Sequence, residues 1–415
     1  MRDPLAWVGF TVCDRAADLG CDLLVQVGRV AAVNRGECEL AVLEALWVWC
    51  NRIPWSTRIP RRCFARHAPG APARARTPAG SQAAVTVTPR QPEALAVSST
   101  GVLYVVDPAR DQILRRQHDG RFVVLADSGR QGFSGDGGPA TRAKLRLQSG
   151  SSVAVGLRGV IYFTDTGNDR VRAVSPNGRI YTVAGSGARI AANAAGPYLT
   201  GSRPALRVRL DEPTGLAFGP GGKLYVAAQD IVSLANGTVS YFAGPTSRAY
   251  SRQDLLLPGV GDTMLAFDRS GDMFVANFPA LSERTAAGRI LFLGDGFRSD
   301  GQSGALAASP NGAVYEGVGD LGGIFERLTS PHPVPYGHVM SSRGLSPNLI
   351  APQALNRLLN TRPKHNHPNQ FAPNNMAVSA NGTIYAGTDS GIFSTVSAIV
   401  QINPNGHVRL LWASR

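Results

Sequence analysis

SSVAVGLRGVIYFTDTGNDRVRAVSPNGRIYTVAG, residues 151–185, reads as four short strands in succession. An apolar run, 153–155, meets a turn at Gly159 and continues into 160–164. The polar run Asp165-Thr166-Gly167-Asn168-Asp169 reverses the chain into 171–174. Pro176-Asn177-Gly178 then closes a hairpin onto 180–183. Asn-Gly between β-branched runs is a strong hairpin signal, because both residues tolerate positive φ. The stretch therefore predicts one up-and-down, four-stranded antiparallel unit.

Five other stretches repeat its core: EALAVSSTGVLY (93–104), TGLAFGPGGKLY (214–225), TMLAFDRSGDMF (263–274), GALAASPNGAVY (304–315) and NNMAVSANGTIY (374–385). In each copy an alanine (Ala96, Ala154, Ala217, Ala266, Ala307, Ala377) precedes an aromatic residue by eight positions. The aromatics are Tyr104, Tyr162, Tyr225, Phe274, Tyr315 and Tyr385. The interval is constant while the distance between copies varies from 41 to 70 residues. A fixed unit with variable connections predicts radial repetition: an all-β, six-bladed β-propeller of four-stranded antiparallel blades. The small residue suits the crowded inner strand, and the ring suits the packing between neighbouring blades.

Composition agrees. Only 17% of the 415 residues are charged, with 47 Gly and 28 Pro, as expected of many short strands joined by turns. The net charge of +13 rests on 39 Arg against 3 Lys, scattered along the chain apart from a short cluster around Arg61, Arg62 and Arg66. Scattered charge makes no continuous footprint for nucleic acid. All five cysteines (Cys13, Cys21, Cys38, Cys50, Cys63) precede residue 64, at spacings that match neither a zinc pattern nor a closed disulfide set. No apolar run approaches the roughly 18 residues of a membrane span, and no basic-then-apolar start with a cleavage site is present.

Residues 1–80 read as a separate extension of low order, partly helical over 4–32 and 37–50, with an Arg-, Pro- and Ala-rich linker after residue 58. Residues 81–415 read as the propeller. Within it, AVTVT (84–88) is either an extra strand on the last blade or a lead-in. A long irregular segment at about 330–372 carries His332, His338, His365 and His367 and a short helix over 352–359. Long insertions on a propeller usually lie over one face, where ligand sites also lie.

GFSGDGGPATRAKL (132–145), the Asp165, Asn168, Arg170 and Val171 positions, and PTGLAF (213–218) together resemble the bacterial NHL-repeat propellers. The resemblance covers about 90–415 and is densest over 92–240. It implies a rigid monomeric ring, often exported, that presents loops to a protein, peptide or glycan ligand. It also brings in the gluconolactonase-like propellers, which hold a catalytic divalent metal through Glu, Asn and Asp side chains.

The residues three places before each inner alanine ring one mouth of the channel: Glu93, Ser151, Thr214, Thr263, Gly304 and Asn374, with Asn375 beside the last. Of these, Glu93, Ser151, Thr214, Thr263, Asn374 and Asn375 are the ligand-binding candidates. Glu93, Asp262 and Asn374 are the candidate ligands for Ca²⁺ or another divalent cation, which takes six to eight oxygens. The plainer alternative is that the same polar groups cap strand ends around a water-filled channel. For the histidines of the insertion, the alternatives are exposed loop side chains and a zinc site like that of amidating lyases built on NHL propellers. Asp107 and Asp165 read as turn residues whose carboxylates fix the reversal after the second strand. The sequence thus supports two functions: a non-catalytic binding module, or a divalent-metal-dependent hydrolase or lyase.

Overall fold

A computed structural model describes residues 85–189, 199, 201–228, 230–243, 263–277, 280–294, 305–309, 313–318, 323–327, 373–388 and 397–414. The chain divides into two units at Gln82/Ala83, and every described residue belongs to the second. The expectations for the extension at 1–80 and the insertion at about 330–372 fall outside the described residues.

The described strands form six antiparallel sheets. The first holds β1 (Thr86–Val87), β2 (Ala94–Val97), β3 (Leu103–Asp107), β4 (Gln112–Arg116) and β5 (Phe122–Ala126), in the order β1-β5-β4-β3-β2. The second holds β6 (Val153–Val155), β7 (Ile161–Asp165), β8 (Arg170–Val174) and β9 (Ile180–Ala184) in sequence order. The third holds β10 (Ser202–Pro204), β11 (Leu216–Phe218), β12 (Leu224–Ala227), β13 (Ile231–Ala235) and β14 (Thr238–Ala243), with β10 outermost beside β14. The fourth runs β15 (Thr263–Phe267), β16 (Met273–Asn277), β17 (Ala280–Arg284), β18 (Ile290–Gly294). The fifth runs β19 (Ala305–Ala308), β20 (Val314–Val318), β21 (Gly323–Arg327). The sixth runs β22 (Asn375–Val378), β23 (Ile384–Thr388), β24 (Ala398–Ile402), β25 (Val408–Ala413).

The register explains the eight-residue cadence. Ala96 pairs with Tyr104, Ala154 with Tyr162, Ala217 with Tyr225, Ala266 with Phe274, Ala307 with Tyr315 and Ala377 with Tyr385. Each pair lies directly across the first hairpin of its sheet, so a fixed turn length fixes the interval. The aromatic then reaches the next sheet: Tyr162 meets Phe218 edge-on at 5.4 Å, and Tyr225 meets Phe267 at 4.6 Å. Room for the first of these pairs depends on Gly156, where a Cβ would stand 2.7 Å from Tyr162 and 2.9 Å from Phe218.

Neighbouring inner strands run β2, β6, β11, β15, β19, β22, and β22 lies against β2. The arrangement is a closed propeller. Each seam has its own apolar cluster. Val106, Leu145 and Phe163 fill the first; Leu210, Leu216 and Val226 the second; Leu265, Met273 and Val275 the third. Phe274 and Leu306 fill the fourth, Tyr315 and Met376 the fifth, and Leu95, Phe122, Tyr385 and Ile399 the sixth. Each such side chain stabilises the ring by about 1.5–3 kcal/mol on burial.

One expectation is corrected. β1 adds neither to the last sheet nor leads in unpaired: Thr86 and Val87 pair with Val123 and Phe122 of β5, the outer strand of the first sheet. Since β25 already supplies the outer strand of the sixth sheet, the ring closes by side-chain packing between the first and sixth sheets. The chain laid before a sheet also covers that sheet's outer edge elsewhere, as β10 does on β14.

The connection 132–145 covers β9 in the same way: Gly137 N–H donates to Ile180 O at 2.8 Å and Ile180 N–H to Gly138 O at 3.0 Å. Arg172, fully buried, locks it. Its guanidinium donates to Asp136 Oδ1 at 2.6 Å, Ser134 O at 2.9 Å and Lys144 O at 3.1 Å, and pairs with Asp165 at 3.5 Å. Phe133 lies beneath Arg170, whose Cζ is 3.8 Å from the ring centroid.

Candidate functional site

The inner strands enclose a central cavity of about 790 Å³. All six inner alanines line it, as do all six ligand-binding candidates: Glu93, Ser151, Thr214, Thr263, Asn374 and Asn375. Of the three candidate metal ligands, Glu93 and Asn374 line the cavity, and Asp262 lies outside the described residues. His332, His338, His365 and His367 also lie outside them, as does Gly304.

The mouth residues divide into two kinds. Ser151, Thr214, Thr263 and Asn375 are buried, and their bonds tie one sheet to the next. Ser151 Oγ donates to Thr166 Oγ1 at 2.9 Å, and the Thr166 hydroxyl donates to Pro213 O at 2.7 Å, just before the third sheet. Thr263 N–H, at the start of the fourth sheet, donates to Thr214 Oγ1 of the third at 3.4 Å. Asn375 Nδ2 donates to Pro92 O at 2.8 Å, joining the sixth sheet to the first. Thr214 and Asn375 thus fasten neighbouring sheets directly, and Ser151 does so through Thr166.

Glu93 and Asn374 are half-buried and remain within reach of the cavity. Glu93 Oε1 accepts Ser149 Oγ–H at 2.7 Å and also the Gly150 N–H, so this carboxylate additionally spans the first and second sheets. Asn374 Oδ1 accepts from Asn375 Nδ2 at 2.8 Å. Gln91, Ser149 and Ser152 extend the same polar rim. Among the described residues no group of three or more His, Cys, Asp or Glu side chains is placed to hold a metal ion. A cation here would draw on the Glu93 carboxylate, the Asn374 amide oxygen and neighbouring hydroxyls.

The turn aspartates fall in place differently from the sequence expectation. Asp107 Oδ2 and Oδ1 accept Arg90 N–H at 2.8 Å and Gln91 N–H at 3.1 Å, and Asp165 Oδ1 accepts Arg146 N–H at 2.8 Å. They hold the segment arriving at their own sheet, and Asp165 Oδ1 also accepts Asn168 Nδ2–H at 2.9 Å within the reversal that comes after it. Burial pushes both carboxyls above the usual range, against the pull of these N–H donors and nearby arginines. A second pair was missed. Asp111 Oδ1 accepts Leu147 N–H at 2.7 Å and Asp169 Oδ1 accepts Glu212 N–H at 3.1 Å, each fixing the segment that leads into the next sheet. Both stand four places after the first aspartate, in DPARD (107–111) and DTGND (165–169), so the signal was present as a repeated Asp-x-x-x-Asp.

The fold and mouth define an all-β propeller with a polar-rimmed central cavity. No family model matches the chain. Over 110 residues it is 32% identical to Teneurin-1 of Homo sapiens and 36% to that of Gallus gallus, covering 23% of this chain and 4% of each relative. The chain thus spans about 4% of the length of the curated relatives it matches. Solved structures that overlap it include virginiamycin B lyase from Staphylococcus aureus (13% identity, 79% of this chain and 86% of that one, TM-score 0.41). A gluconolactonase from Xanthomonas campestris overlaps with 11% identity, 74% and 85% coverage and TM-score 0.45. Regucalcin, a calcium-binding protein from Agrobacterium tumefaciens, does so with 10%, 74% and 85%, and 0.42. At such scores the chemistry of this chain rests on its own residues.

Proposed function

We propose that the chain is a six-bladed propeller of the NHL-repeat type that binds a polar ligand, a glycan in the first instance, at the cavity mouth carrying Glu93 and Asn374. The observation that carries this reading is the division of the mouth. Ser151, Thr214, Thr263 and Asn375 are buried, while the half-buried Glu93 carboxylate and Asn374 amide stay within reach of a cavity of about 790 Å³. That volume suits a small-molecule site, and a carboxylate, amides and hydroxyls on a rigid rim suit a ligand rich in hydroxyl groups. The test is a glycan array probed with labelled full-length protein. Retained oligosaccharides should be lost in the double variant Glu93→Gln/Asn374→Ala. An array that captures nothing from wild type would count against the glycan.

A second reading is a divalent-metal-dependent hydrolase or lyase, supported by Glu93 and Asn374 lining one cavity. In it, Glu93, Asn374 and Asp262 hold a cation such as Ca²⁺, which would polarise the substrate's carbonyl or glycosidic oxygen. Calcium would then raise the melting temperature of wild type by mass action but not that of Glu93→Gln. Equal behaviour of the two proteins in Ca²⁺ would remove this reading.

A further inference from the structure

The seam that closes the ring carries an arrangement of charge that packing alone leaves unexplained. Phe122 of the first sheet and Tyr385 of the sixth share its apolar cluster. On the first-sheet wall, Arg116 pairs with Phe122 across the last hairpin. On the sixth-sheet wall, Tyr385, Gln401 and Arg409 stand in one cross-strand row. Two arginines, one from the first sheet and one from the last, thus stand on the two walls of one seam.

Neither guanidinium makes a hydrogen bond or ion pair to a described residue, and Arg116 Nε is buried without a partner. The carboxylate at that end, Asp119, is taken by Arg121, at 2.6 Å from Nη2 and 2.7 Å from Nε. The Arg116 head lies back over the hairpin, where a Cβ at Gly120 would stand 3.2 Å from its Nη2. Burial, and after it the charge of Arg409, holds the Arg116 pKa below its ordinary value. A buried Nε without a hydrogen bond, on a seam that also carries a second arginine, costs stability, and an oxyanion placed there would relieve it.

We propose that Arg116 and Arg409 form a binding site for a phosphate-type oxyanion at the seam between the first and sixth sheets. Arginine offers a planar fork of N–H donors that matches oxygen pairs on such an anion. The half-buried Arg116 supplies a fixed fork and the exposed Arg409 closes over the ligand from the other sheet. Because the two arginines belong to the first and last sheets, the bound anion also fastens the ring where no strand crosses.

The test is thermal melting of the full chain in inorganic phosphate against sodium chloride at matched ionic strength, with calorimetric titration of phosphate alongside. Saturating phosphate should raise the wild-type midpoint by about 3 °C. Arg409→Gln, a change at an exposed position, should abolish that rise and weaken phosphate binding by about tenfold or more. In chloride the same variant should melt no lower than wild type, because it relieves repulsion; a merely structural arginine would lower it. Arg116→Lys keeps the charge, loses the fork and should also lose the phosphate increment. An equal phosphate rise in wild type and Arg409→Gln, or no rise in wild type, overturns the site.

Discussion

The first two sheets and the fourth and fifth share one register of alanine against aromatic, yet different residues end their second strands. β3 and β7 end in Asp107 and Asp165, whose carboxylates hold the arriving chain, and Asp111 and Asp169 hold the next segment. β16 and β20 end instead in Asn277 and Val318. What is common to all six sheets is the small residue facing the axis and the ring facing the neighbour. The cadence sets the packing of the propeller, and in the first two sheets the aspartates add a local lock to it.

The comparison breaks most sharply at Asp165. Asp165→Ala removes the acceptor for Arg146 and leaves the fully buried Arg172 short of one partner. A loss of about 3–5 kcal/mol in urea unfolding is expected; a loss below about 1 kcal/mol would show that Asp136 alone suffices.

Asp127 sharpens the comparison within the first two sheets. It follows β5 as Gly185 follows β9, and each donates its N–H to the next connection, to Ala140 O at 3.1 Å and Ala205 O at 3.0 Å. Both take positive φ, +126° for Asp127 and +95° for Gly185, a conformation that strains a side chain. Burial pushes the Asp127 carboxyl up to about 6, only partly opposed by the Gly129 and Ser128 N–H groups. Because the folded protein holds this proton more tightly than the unfolded chain, the group's contribution is fully present below about pH 4 and is lost as pH rises to about 6. The change amounts to roughly 3 kcal/mol. Asp127→Gly should flatten that part of the stability profile and stabilise the protein at pH 7 by about 1–3 kcal/mol. An unchanged profile would place the titration elsewhere.

A smaller effect is expected at the closing seam. Asn375→Ala deletes the bond to Pro92 O and should cost about 1–2 kcal/mol. Smaller still is the spread in hydrogen exchange. Amides of β7 and β8 should open about tenfold less often than those of β16 and β17. Equal protection would mean that the aspartate locks add nothing beyond packing.

Much of this was legible in the residues. The alanine-to-aromatic interval is a direct cross-strand pair, so a hairpin of constant length wrote it into the chain. Among the described residues, the positions three places before the pairing alanines, Glu93, Ser151, Thr214, Thr263 and Asn374, all line the cavity, because each lies at or just before the inner strand. The roles of those residues were less legible: Thr214 and Asn375 read as ligand groups, yet each bonds backbone of the next sheet, which depends on closure in space. Placing 84–88 required knowing which outer edge was open, and β25 had already filled the one expected. Asp127 and Arg116 look ordinary in sequence; only φ, burial and the facing sheet set them apart.

In a closed ring the first and last sheets meet at one polar mouth, and a cross-link between them reads that meeting. Cysteines at Glu93 and Asn374, in a chain whose five native cysteines are serine, would be treated with a short bis-maleimide. A closed ring gives an intramolecular bridge, recovered by mass spectrometry as one linked peptide. Failure to bridge, under conditions where each single cysteine reacts fully, would contradict the closed ring.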